Sequence, residues 1–64
     1  MYEEYLEKEL LTVDETMEIL YLGRNTVYGL LRTGELKGIK FGKVWRIPKE
    51  SIKELIARKI NPLQ

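Results

Sequence analysis

Residues 23–47 read GRNTVYGLLRTGELKGIKFGKVWRI, and the periodicity of this stretch changes halfway along. From Arg24 to Thr33, Val27, Leu30 and Leu31 form an apolar stripe at helical spacing. Gly23 stands where a helix N-cap is needed, and Gly34 where a left-handed residue closes one. From Ile39 the pattern is that of strands. Ile39 and Phe41 flank Lys40, and Val44, Trp45, Arg46 and Ile47 follow Gly42-Lys43. β-branched and aromatic residues on both sides of a Gly-containing break predict a hairpin.

The flanks extend this reading. Upstream, LTVDETMEIL places Thr12 three residues before Glu15, the spacing of a capping box, in which each side chain satisfies the other residue's backbone N–H. Val13, Met17 and Leu20 then recur at helical spacing with Ile19 beside them, so a helix is predicted over about 13–20. Tyr21-Leu22-Gly23 breaks it. Downstream, Pro48 stops the second strand and suits the first turn of a helix. KESIKELIARKI carries Ile52, Leu55, Ile56 and Ile60 towards one side, predicting a helix over about 49–59 that ends at Asn61-Pro62.

The order is helix, short turn, helix, hairpin, helix. Two helices joined by a three-residue turn containing Gly form a helix-turn-helix, and a hairpin placed after it is a wing. The expected class is α+β, a small winged helix-turn-helix over residues 10–60. An acidic extension, tail or short helix, covers 1–9, and a short tail covers 61–64. The predicted core contains Val27, Leu30, Leu31, Leu36, Ile39, Ile47 and Leu55. Trp45 is assigned to it as well, in preference to stacking on a base.

Composition limits what such a domain can do. A chain of 64 residues buries only about 60% of the surface its unfolded form exposes, which leaves little room for an enclosed substrate pocket. There is no cysteine and no histidine, so disulfides, thiolate zinc sites and Cys or His nucleophiles are excluded. No spaced Asp/Asn loop suggests a hard-metal site. No cofactor and no enzymatic activity is expected. No apolar run approaches the roughly 20 residues that span a bilayer, and the acidic start is unlike a secretory signal. The expectation is a soluble cytoplasmic protein with no membrane partner.

The charges are segregated. Residues 1–20 hold seven acids and one base, while residues 21–49 hold seven bases and one acid, Glu35. The basic segment contains the second helix and the hairpin. A polar molecule of this kind has one side suited to phosphate. The acids of residues 1–20 are expected on the rear, where they repel DNA or meet a basic partner.

In combination, the Leu-Thr-x-x-Glu opening, the short turn, the Arg-x-Thr-Val-Tyr helix, the Gly-Glu-Leu link and the hairpin ending Trp-Arg-Ile-Pro resemble the excisionase family. These small DNA-binding proteins share a winged-helix fold with the DNA-binding domains of MerR-like regulators. The resemblance covers residues 10–57. It implies that the helix from Arg24 enters the major groove while the wing around Gly42 and Lys43 touches the minor groove or the backbone. It also implies double-stranded DNA as partner, bending beside the attachment sites of a phage or mobile element, and an integrase that is recruited or redirected. Further copies on adjacent sites would enlarge a small footprint. A bacterial or phage origin and association with the nucleoid follow. Two positions depart from the pattern. Tyr21-Leu22-Gly23 replaces a Gly-Val-Ser type of turn, and Gly29 stands where relatives often carry Arg or Lys.

The N-terminal residues of a recognition helix reach base edges. Arg24 can hold guanine and Asn25 adenine, Thr26 a thymine methyl or a phosphate, and Tyr28 a phosphate through its hydroxyl. Arg32, two turns from Arg24, is expected nearer the backbone. Lys43 occupies the hairpin tip, with Lys40 and Arg46 on the two strands. The bland reading of each is a solvated surface residue. Two other functions fit the same residues: a small transcriptional regulator of a mobile element, and a winged-helix protein-interaction module that does not bind DNA.

Overall fold

A computed structural model of the protein describes residues 10–60. The expected extension 1–9 and tail 61–64, with Asn61 and Pro62, lie outside the described residues. The elements run β1 (Leu10–Leu11), α1 (Val13–Leu20), α2 (Arg24–Thr33), β2 (Ile39–Phe41), β3 (Val44–Pro48) and α3 (Lys49–Ile60). The three helices and the hairpin stand where the sequence places them. The sheet has one strand more than expected.

That strand is β1. Leu10 pairs with Pro48 and Leu11 with Ile47, so an antiparallel three-stranded sheet forms in the order β1-β3-β2. Two residues have no period, which is why a strand of this length leaves no mark on the sequence. Pro48 ends β3, and α3 begins at the following residue.

Local chemistry sets the helix ends. The Glu15 N–H donates to Thr12 Oγ1 at 3.0 Å and the Thr12 N–H to Glu15 Oε1 at 2.9 Å, completing the capping box. Thr16 is fully buried, and its hydroxyl donates to the Thr12 carbonyl at 2.9 Å, so no polar group is stranded. α1 ends at Tyr21, which adopts a left-handed φ of 56° and donates its N–H to the Met17 carbonyl. α2 starts from Gly23, which provides no side-chain cap, and closes on left-handed Gly34 with φ 85°.

The core is Val13, Val27, Leu31, Leu36, Ile47, Ile52 and Leu55. Leu30 and Trp45 pack against this cluster as half-buried flanks. Ile39, expected inside, is 42% exposed. The hairpin register explains the difference. Ile39 lies opposite Arg46 and Phe41 opposite Val44, whereas Lys40 lies opposite Trp45. Successive side chains on a strand point to opposite faces. Ile47 and Trp45 take the inner face, so Ile39, Phe41 and Val44 take the outer one. On α3 the buried stripe is Ile52 and Leu55, while Ile56 and Ile60 remain exposed.

The link between α2 and β2 is tied from two sides. The Leu36 N–H donates to the Leu30 carbonyl at 3.0 Å, which seats the fully buried Leu36. From α3, Lys59 Nζ binds Glu35 Oε2 at 2.7 Å and Arg58 donates to the Glu35 carbonyl. The hydrogen bond and charge of Lys59 hold the Glu35 carboxyl below the usual carboxylate range.

Two glycines have opposite requirements. A Cβ on Gly38 would lie 2.6 Å from Leu31 Cδ2 and 3.1 Å from Trp45 Cε3, so β2 can approach α2 only because this residue has no side chain. A Cβ on Gly29, within α2, meets nothing within 4 Å. Gly38→Ala is therefore expected to destabilise the domain by about 1–3 kcal/mol through overpacking. Gly29→Ala is expected to stabilise it by about 1 kcal/mol through helix propensity. Urea unfolding followed by Trp45 fluorescence checks both; midpoints that move together would contradict the placement of these two residues.

Candidate nucleic-acid interface

Three elements meet around a shallow cleft of about 230 Å³. The N-terminus of α1 contributes Thr12, Val13 and Asp14, the start of α2 contributes Arg24 and Tyr28, and the wing contributes Lys43 to Arg46. Gly23 brings this about locally: as an N-cap with extended backbone it turns the chain so that Arg24 opens α2 beside α1. The wing arrives through the β2-β3 turn. There Gly42 has φ 65° and Lys43 does not share the positive φ, the pattern of a hairpin whose first central position is reserved for Gly.

The cleft has a cationic surplus: Arg24, Lys43 and Arg46 against one carboxylate, Asp14. Arg24 Nη2 bonds Asp14 Oδ1 at 2.7 Å, with both side chains more than half exposed. The Asp14 hydrogen bond and charge, aided by the Tyr28 hydroxyl, bind the proton of Arg24 more firmly than in a free guanidinium. An exposed pair of this kind adds little to stability. Its effect is to orient: one donor of the fork is engaged, and the others stay available to a planar acceptor pair. Arg46 Nη1 donates to the Trp45 carbonyl at 2.9 Å, which holds a second guanidinium against the strand.

Of the eight residues expected to contact DNA, the structure gathers four in this cleft: Arg24, Tyr28, Lys43 and Arg46. Asn25 and Arg32 lie outside it, exposed on α2. With Gly29 between them at helical spacing, they make an outward face whose centre has no side chain. Thr26 is exposed on the other flank of α2, where it borders an apolar hollow of about 470 Å³ with Leu22, Leu30 and Leu55. Lys40 holds its ammonium 5.6 Å from the centroid of the Trp45 ring, directly across the hairpin, so its charge rests on an aromatic face.

Asp14, expected with the other acids of residues 1–20 on a rear face, stands instead in the cleft on Arg24. The two are ten positions apart on different helices, and no spacing rule links them. Only the packing of α1 on α2 brings them together.

Comparison with known proteins agrees with this arrangement. A family model described as a helix-turn-helix domain matches residues 10–60. A Streptomyces ambofaciens protein named "Excisionase" is 44% identical over 48 residues, covering 75% of this chain and 77% of the relative. A Saccharopolyspora erythraea protein named "Probable excisionase" is 41% identical over 51 residues, covering 80% of this chain and 52% of the relative, so the chain matches about half of that protein's length. No solved structure matches the chain. The family model spans all six elements and both walls of the cleft, and with these relatives the chain belongs to the excisionase family of helix-turn-helix proteins.

Proposed function

We propose that this protein binds double-stranded DNA through α2 and the wing and bends it beside the attachment sites of a mobile element, directing an integrase towards excision. The observation that carries the proposal is the cleft, where α2 and the wing converge with three cations and a tyrosine hydroxyl. Family membership supports the biological role. The protein acts by binding alone, with no catalytic step of its own.

Each residue has a role in this reading. Arg24, oriented by Asp14, reads a base through its remaining donors, and Asn25 reads its neighbour. Tyr28, Arg32, Lys43 and Arg46 contact phosphates and fix the register on the duplex. Thr26 and Lys40 approach the backbone at the margins. Gly29 lets the α2 backbone come close to the groove. One such domain covers few base pairs, so several copies on adjacent sites are required for tight binding.

Fluorescence anisotropy with a random-sequence duplex, over a series of salt concentrations, tests the reading. Binding is expected to weaken steeply with salt, and Lys43→Ala to reduce the slope of log K against log salt by about 0.9, the value of one phosphate contact. Arg24→Ala is expected to cost about 1–3 kcal/mol on a sequence selected by the wild-type chain and to relax preference at one position. Absence of binding by the wild-type chain at low salt would overturn the proposal.

Asp14→Asn removes the one carboxylate of the cleft. Its affinity for the random duplex is expected to rise about threefold, because a charge that repels phosphate is gone, while discrimination of the selected site from random sequence falls as Arg24 loses its orientation. A variant that binds both duplexes as the wild type does would leave Asp14 without a part in recognition.

A further inference from the structure

The outer face of the wing is apolar without serving the core. Ile39, Phe41 and Val44 are 42%, 56% and 47% exposed, and the register places all three on one face of the hairpin together with Arg46. Phe41 and Val44 form the last cross-strand pair before the Gly42-Lys43 turn, so they flank the tip. From Leu36 to Lys49 the chain contains five bases, Lys37, Lys40, Lys43, Arg46 and Lys49, and no acid. Val44 and Arg46 also line the basic cleft, so the apolar tip continues directly from it.

We infer that Phe41 and Val44 form an apolar wedge that enters the minor groove of bound DNA and unstacks one base step, and that this wedge produces the bend. The inference rests on the proposed function and names the residues that would deform the duplex. Proteins that kink DNA insert apolar side chains between base steps from the minor groove, while cations beside the wedge hold the flanking phosphates. A two-stranded ribbon with a bulky pair at its tip and bases behind it has both parts. Gly42 leads the tip with φ 65°, a left-handed backbone conformation that glycine adopts without strain. The surroundings favour DNA over a protein as occupant: every charged side chain from Leu36 to Lys49 is cationic, which suits a polyanion. Insertion is cheapest at flexible pyrimidine–purine steps, so the wedge would select TA or CA steps at positions that no polar side chain reads.

The test uses the full chain and a short duplex with a single TA step, carrying 2-aminopurine at that step and a donor–acceptor dye pair at its ends. With wild-type protein, 2-aminopurine fluorescence is expected to rise severalfold and the end-to-end distance to shorten. At protein concentrations that saturate the duplex, Phe41→Ser with Val44→Thr is expected to abolish the fluorescence rise and most of the shortening. Both positions are exposed, and thermal melting verifies that the variant folds; should it not, Phe41→Leu alone is expected to keep the bend at reduced fluorescence. Wild-type binding with neither unstacking nor bending would overturn the wedge but leave the DNA-binding reading intact. A bend that the double variant retains would also overturn it. Loss of cooperativity between copies without loss of bending would assign the face to a protein contact instead. No binding at all by the wild-type chain would overturn the proposed function itself.

Discussion

Ile47 has no solvent exposure, and much of the fold is determined by keeping it there. It sits on β3, which pairs with β1 on one side and β2 on the other and is packed by α1 and α3. Side chains alternate along a strand, so fixing one fixes the rest. With Ile47 inward, Trp45 turns towards the core, and Val44 and Arg46 turn outward. Through the hairpin pairing, Ile39 and Phe41 follow Val44, while Lys40 joins Trp45. A one-residue slip would reverse every one of these positions.

The wing is held by a second constraint of a different kind. β2 reaches the core because Gly38 lets Leu31 and Trp45 close over the backbone. The same Leu31 is one of only two buried residues of α2, so the packing that seats α2 also seats the start of the wing. In so small a domain α2 and the wing are not independent modules. They share a core residue, and their relative geometry is fixed by it.

Charge is distributed within this frame with little effect on stability. The exposed Arg24–Asp14 pair adds almost nothing to folding, and the cationic surplus of the cleft opposes it slightly. The Glu35 contacts with Lys59 and Arg58 neutralise the one acid of the basic segment and join the turn before the wing to α3.

The residues of 10–60 announce most of this fold. The Thr12–Glu15 box, Gly23, Gly34 and the Gly42-Lys43 turn mark element ends through chemistry that acts over a few residues, and the structure keeps each of them. The change of period at Ile39 separates helix from strand for the same reason. Arg24, Tyr28, Lys43 and Arg46, four of the residues expected at the interface, lie together in the cleft, and the sequence singles them out because side chains suited to phosphate and bases are of few types and cluster in the basic segment. Tertiary structure decided the rest. β1 exists only because β3 offers an edge, Ile39 is outside because Ile47 is inside, and Asp14 reaches Arg24 only once α1 lies on α2. Local rules rest on neighbours along the chain, whereas a strand's partner, its inward face and a carboxylate's counter-ion depend on residues that folding brings near.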